Sequence, residues 1–309
     1  MVGVRRLVVL LSVVLLVSVA AVAAIWLGHG AGKTRAHPRE VGQAPAPPAG
    51  SVVLARESRE LAVALAVRPG RPLDVTTTIV GQSSRGVDGL AITLTATGGG
   101  RATGRGRPCG HGCYGATLSV AAPTRFTVRV TGAGAPRTVV FPLRGGWPPA
   151  AGRKFLGRAT RSFRRLRSVL FRERLASGLG SSVLTTWKLA APDRVEYQIQ
   201  GGPAGIVVGT RRWDRAEPTA PWTPSETTLL PQPTAPWGSR IVNAHLLART
   251  PSRLTASWLD PVVPAWFTAT FDRRTALPIE VRMTAASHFM HQRYLAFNRK
   301  VRIEPPNAK

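Results

Sequence analysis

The sequence predicts a mainly β protein. It should have an N-terminal transmembrane helix, then an immunoglobulin-like β-sandwich, then a curved antiparallel sheet with covering helices, so that the last unit is α+β. Three observations carry this. Short apolar–polar alternations, broken by Gly/Pro turns, run from Ser51 to Pro148. Longer alternations with apolar residues on both faces fill the carboxy-terminal part. Between them lies one amphipathic stripe at helical period. The chain has 309 residues, 44% of them hydrophobic, which suits two modest domains with packed cores. The boundaries follow composition: 1–27 anchor, 28–50 linker, 51–147 sandwich, 148–309 second unit.

The first element is the apolar run Leu7–Leu27 behind Arg5 and Arg6. At about 1.5 Å rise per residue it can cross a hydrocarbon layer of roughly 30 Å. A cleaved signal peptide is the alternative, since Ala21-Val22-Ala23 offers small residues to a peptidase. Ile25-Trp26-Leu27 continues the run past that point, and Trp26 suits a membrane interface, which favours an uncleaved single-pass anchor in the cell membrane. Its short amino terminus most simply stays inside, which places residues 28–309 outside the cytoplasm. The following stretch, with Gly28-His29-Gly30 and Ala44-Pro45-Ala46-Pro47-Pro48, has no apolar period and reads as a semi-rigid stalk.

Charge then indicates partners. Lys plus Arg number 42 against 15 acids, a net charge of +27. So few acids leave little room for a hard-metal site, and two cysteines exclude a disulfide-rich scaffold or a four-cysteine zinc site. Outside the cytoplasm such charge points to anionic lipid head groups or acidic wall polymers, an anionic envelope surface rather than nucleic acid.

In the sandwich, Leu61, Val63, Leu65 and Val67 alternate with small residues and stop at Pro69-Gly70. Strands at Val75–Val80, Leu90–Ala96, Tyr114–Val120, Phe126–Val130 and Val139–Leu143 follow. Gly145-Gly146-Trp147-Pro148 marks the boundary. Phe155, Ala159, Phe163 and Leu166 then form one helical stripe, surrounded by Arg158, Arg161, Arg164, Arg165 and Arg167. That basic face reads as a solvated surface. Beyond it, Val183–Leu189, Val195–Ile199, Ala265–Phe271 and Ile279–Met283 alternate as strands, and Asn243–Leu247 reads as a short helix. The loop Glu217–Gly238 holds six prolines and repeats Thr-Ala-Pro-Trp at 219–222 and 234–237. A connection of that length with two tryptophans reads as a cover over an apolar cavity.

Two constellations carry chemistry. Cys109-Gly-His-Gly-Cys113 can close a small disulfide loop with glycines relieving strain, or present two thiolates and His111 to a soft cation; oxidation outside the cytoplasm favours the disulfide. His288 and Met290 share one strand face while His291 points the other way. Met with His is a copper-type donor set, and Met283 on a neighbouring strand would add to it; ordinary core packing is the alternative. No nucleophile elbow, zinc-protease helix or paired acids are present, so no enzyme is expected and no resident cofactor, copper excepted.

Residues 168–178 (SVLFRERLASG), 191–195 (APDRV), 206–209 (IVVG) and 212–214 (RWD) resemble the LolA/LppX-type lipoprotein-carrier fold. Pro264-Ala265-Trp266-Phe267, the segment Met283–Tyr294 and the Cys109–Tyr114 turn are similar to the extracytoplasmic tail of CopD-type copper-resistance membrane proteins of actinobacteria. The chain lacks the multi-helix copper-transport portion of that family. The resemblance implies that 148–309 forms an incomplete barrel wrapped round helices, whose hollow takes acyl chains. Here Phe163, Leu166, Trp213, Trp222, Trp237, Trp258, Trp266 and Phe289 would line it. The expected function is a membrane-anchored extracytoplasmic binding protein holding a lipid or other apolar ligand. A copper-homeostasis accessory and a non-catalytic envelope scaffold are the alternatives.

Overall fold

Alternation of side chains between two sheet faces, period two, builds nearly all of this molecule. The computed structural model describes residues 40–306 apart from 133, 179–180, 238–239, 263 and 287. The apolar run Leu7–Leu27 and the start of the linker lie outside the described residues. Among the described residues no helix is long and apolar enough to cross a membrane.

The first unit contains β1 (Glu40–Val41), β2 (Val52–Ser58), β3 (Leu61–Arg68), β4 (Leu73–Val80), β5 (Gly86–Val87), β6 (Ala91–Gly98), β7 (Gly100–Arg105), β8 (Arg107–Gly110), β9 (Cys113–Leu118), β10 (Pro123–Thr131) and β11 (Arg137–Pro142). One seven-stranded sheet runs β1-β5-β4-β3-β2, with β9 paired to β4 and β8 to β9; a four-stranded sheet runs β11-β10-β6-β7. The two pack face to face over Leu61, Val63, Leu65, Val67 and Ile79 from one side and Ile92, Leu94, Phe126 and Val128 from the other. Tyr114 is buried at their centre, yet its hydroxyl is satisfied: it donates to the Val87 carbonyl (2.8 Å) and accepts from the Leu90 N–H (3.1 Å).

The second unit contains β12 (Ala150–Ala151), α1 (Arg153–Arg164), β13 (Ser168–Gly178), β14 (Ser181–Ala190), β15 (Arg194–Ile199), β16 (Ala204–Val208), β17 (Arg211–Arg215), β18 (Thr223–Glu226), β19 (Val242–Arg249), β20 (Arg253–Asp260), β21 (Ala265–Asp272), β22 (Pro278–Ala285) and β23 (His288–Phe297). All twelve strands join one antiparallel sheet in the order β12-β19-β20-β21-β22-β23-β13-β14-β15-β16-β17-β18. One face takes the helix. Leu156, Ala159 and Phe163 of α1, all fully buried, sit on Phe171, Phe267, Phe271 and Tyr294.

The opposite face carries the first unit. Trp266, Phe289, Leu259 and Ala176 cluster with Val53, Ala62, Ala64, Ala66 and Val80. Strand β3 is therefore buried on both sides: Leu and Val enter the sandwich core, while the intervening alanines let the large sheet approach closely. Asn243, at φ +52, ties the linker to β19, accepting from the Gly50 N–H (2.9 Å) and donating to the Pro48 carbonyl (3.1 Å).

Two local expectations are corrected. Asn243–Leu247 is strand, not helix: β19 is hydrogen-bonded on both sides, with Leu246 opposite Ala256 and opposite Ala150. The cover is one α-helix among the described residues, with Trp237 as its second part. Leu166 is buried beyond the helix end, its N–H bonded to the Phe163 carbonyl (3.1 Å).

Candidate functional site

Three chain segments meet at one end of the large sheet. The start of α1 is hung on β19 by the Gly152 N–H to the Ala244 carbonyl (2.8 Å). The β19–β20 connection is a tight turn with Pro251 at its corner: the Thr250 N–H reaches the Arg253 carbonyl and the Arg253 N–H the Thr250 hydroxyl, both 2.9 Å. The β21–β22 turn is shaped by Asp272, whose Oδ1 accepts from the amide and hydroxyl of Thr275, both 2.7 Å. Those hydrogen bonds hold the Asp272 carboxyl below the usual aspartate range. The Arg273 N–H to the Ser252 carbonyl (2.9 Å) locks the two turns together.

Between these segments lies an open cleft of about 750 Å³. Its walls are Lys154, Arg158, Arg161, Arg249, Arg273 and Arg274; Phe155, Pro251 and Leu254 complete it. No acidic side chain lines it, and none of the six cations makes a salt bridge among the described residues. Elsewhere Arg137, Arg174, Lys188 and Arg212 each hold a carboxylate. Arg158 is fixed in place: its guanidinium stands 5.1 Å from the Phe155 ring centre and its Nη2 donates to the Arg273 carbonyl (3.1 Å). The first turn of α1 has no acid, so Arg153 and Lys154 oppose the helix dipole. Asp272 stands in the turn that carries Arg273 and Arg274, and Arg274 is among the groups that lower its pKa; the cleft lining itself holds cations and no carboxylate, so it complements an anion.

Beneath α1 the sheet face is packed with aromatic rings. Rings touch in an unbroken series: Phe155–Phe271 (5.2 Å between centroids), Phe271–Trp237 (5.8 Å), Trp237–Phe163 (5.2 Å), Phe163–Tyr294 (5.9 Å), Tyr294–Phe171 (5.3 Å), Phe171–Trp187 (6.0 Å) and Trp187–Tyr197 (5.2 Å). Trp237 is 0% exposed and its indole N–H donates to the Thr160 hydroxyl (2.9 Å). Beside the rings, Glu173 is buried without a cation; it accepts from Gln292 (2.7 Å) and Trp187 (3.2 Å). Burial pushes its carboxyl above the glutamate range, with those hydrogen bonds pulling the other way.

The eight aromatic and apolar residues expected around one hollow do not meet. Phe163, Leu166, Trp237 and Trp258 belong to the core beneath the helix, Trp258 stacked on Phe267 at 5.2 Å. Trp266 and Phe289 lie on the opposite face against the sandwich. Trp213 and Trp222 lie apart from both, near Arg211 (5.6 Å) and Arg215 (4.7 Å). Trp258 pairs with Phe267, the strand neighbour of Trp266, and neighbours in a strand project to opposite faces, so Trp258 and Trp266 cannot line one cavity.

The remaining candidates divide similarly. Met283 and Met290 are direct cross-strand partners, and His288 follows on the same face, its Nδ1 3.2 Å from the Ala286 carbonyl. His291 is on the other face, with Nε2 3.3 Å from Glu280. Two thioethers and one imidazole suit a soft monovalent metal, but Met283 is also packed into the core, and no group of three His, Cys, Asp or Glu suited to a metal occurs among the described residues. Cys109 and Cys113 are joined as a disulfide, with Cα atoms 5.0 Å apart, so their sulfurs are not metal ligands in this structure. His111 between them sits at φ +48 in the turn.

Sequence reasoning saw Arg158 and Arg161 only as a solvated helix face, and missed Lys154, Arg249, Arg273 and Arg274 as their partners. The one local signal was the pair Arg273-Arg274 directly after a strand end. Neither a protein-family model nor a curated protein sequence matches this chain.

Proposed function

We propose that this chain is a non-catalytic binding module of the cell envelope that grips an anionic envelope component in the cleft between α1 and the turns after β19 and β21. The observation that carries this reading is six cations round one cleft with no acid among them. In finer terms the first unit is an immunoglobulin-like sandwich and the second a half-barrel of the LolA/LppX type, anchored to the membrane by Leu7–Leu27 and facing outward. The Cys109–Cys113 disulfide supports an oxidising compartment. A lipid held between helix and sheet has less support, because Trp237, Phe163 and Tyr294 occupy that space.

The test is titration of the full chain with polyphosphate, comparing two charge-matched variants. Arg158→Glu/Arg274→Glu alters the cleft; Arg101→Glu/Arg105→Glu alters exposed arginines of β7. The cleft pair is expected to lose tenfold or more in affinity, about 1.4 kcal/mol, while remaining folded by circular dichroism with only a modest loss of melting temperature, since the contacts of Arg158 with Phe155 and the Arg273 carbonyl are lost. The β7 pair is expected to lose less than threefold. Equal losses would mean that net charge alone, and not the cleft, attracts the polyanion.

A further inference from the structure

The cleft has two chemistries, and the second narrows its ligand. Five of its six cations are arginines. A guanidinium offers a planar fork that matches two oxygens of a phosphate or carboxylate, and several forks converging from different directions suit a tetrahedral phosphate better than a flat carboxylate. Arg158 and Arg161 come from the helix, Arg249 from the end of one strand, and Arg273 and Arg274 from a turn, so three chain segments line one space.

Between these cations the lining is apolar. Phe155 is half-buried, with one edge against Phe271 and Arg158 over its ring. Pro251 is exposed at the turn corner, and the buried Leu254 also lines the cleft. A fully hydrated inorganic anion has no use for that surface. A phosphate ester carrying an apolar group would place its head among the arginines and its first methylenes on Phe155, Leu254 and Pro251.

We infer that the cleft binds a phosphate ester attached to an apolar chain, the chemistry shared by phospholipid head groups and lipid-linked envelope intermediates. This deepens the anion-binding reading and rests on it. Three probes separate its parts: methyl phosphate, octyl phosphate and octanoate. They are titrated calorimetrically into the full chain in a non-ionic detergent. Arg158→Glu/Arg274→Glu in the same detergent measures partition into micelles alone, and Arg101→Glu/Arg105→Glu controls for net charge.

Octyl phosphate is expected to bind at least tenfold more tightly than either methyl phosphate or octanoate, and to lose that binding only in the cleft variant. If methyl and octyl phosphate bind alike, the apolar half is overturned while the anion cleft stands. If octanoate equals octyl phosphate, selectivity for phosphate is overturned. If no probe distinguishes the cleft variant from the other two proteins, the anion-binding reading itself fails.

Discussion

Replacing Trp237 by alanine is expected to destabilise the second unit by about 3–5 kcal/mol. Trp237 is fully buried, meets Phe163 and Phe271 edge-on at 5.2 and 5.8 Å, and satisfies its indole N–H on Thr160. Its loss leaves a cavity between α1 and the sheet and frees the long loop that it pins. The same sequence, Thr-Ala-Pro-Trp, occurs fifteen residues earlier and supplies a control inside the protein. Trp222 is only half-buried and stacks with Arg215, so Trp222→Ala is expected to lose less than about 1 kcal/mol. Thermal melts, with limited proteolysis of residues 217–236, compare the two. Equal costs would mean that Trp237 is not the pin of the cover.

Replacing Trp266 is expected to have an effect of similar size and different form. Trp266 packs in the cluster that joins the units, with Phe289, Leu259 and the alanines of β3. Truncation to alanine should cost about 3–5 kcal/mol and split one cooperative transition into two. Polar contacts across the junction, such as Arg174 with Glu57 at 3.2 Å, Gln82 with the Ser177 carbonyl at 3.4 Å and Asn243 with Gly50 and Pro48, are partly exposed and individually weak beside this apolar cluster. Differential scanning calorimetry reads the outcome. A single transition shifted by less than about 1 kcal/mol would show that the two units are coupled elsewhere.

Much of the fold was legible because alternation is a local signal. Leu61–Val67, Phe126–Val130 and Ala265–Phe271 are strands where the pattern put them. What alternation could not show is what lies against each face. Ala62, Ala64 and Ala66 are only small residues between the apolar ones in the sequence, yet they are buried under Trp266 and Phe289, which come from about two hundred residues further along the chain. Asn243–Leu247 reads as a short helix between strands, yet β12 and β20 claim its backbone from both sides. β7, rich in Gly and Arg, and β17, rich in Arg, have no clear hydrophobic period and form through pairing with their neighbours.

The candidate site was less legible than the fold. Aromatic residues could be counted in the sequence, but their distribution between two faces and an outer edge depends on register, and Trp237 with Phe163 and Phe271 packs against the face beneath α1. The cleft was hidden for the opposite reason. In a chain with 42 Lys and Arg residues no single arginine stands out, and it takes strand register together with the bonds Arg273 N–H to the Ser252 carbonyl, Gly152 N–H to the Ala244 carbonyl and Arg158 to the Arg273 carbonyl to bring residues 249, 273 and 274 to the helix.

The central claim is that an oxyanion belongs in that cleft. The most direct measurement is to diffuse tungstate, a tetrahedral oxyanion with strong anomalous scattering, into crystals of the full chain and locate it. An ordered peak is expected within hydrogen-bond reach of at least two of Arg158, Arg161, Arg273 and Arg274. Ordered tungstate at other basic surface residues, with none between α1 and the two turns, would contradict it.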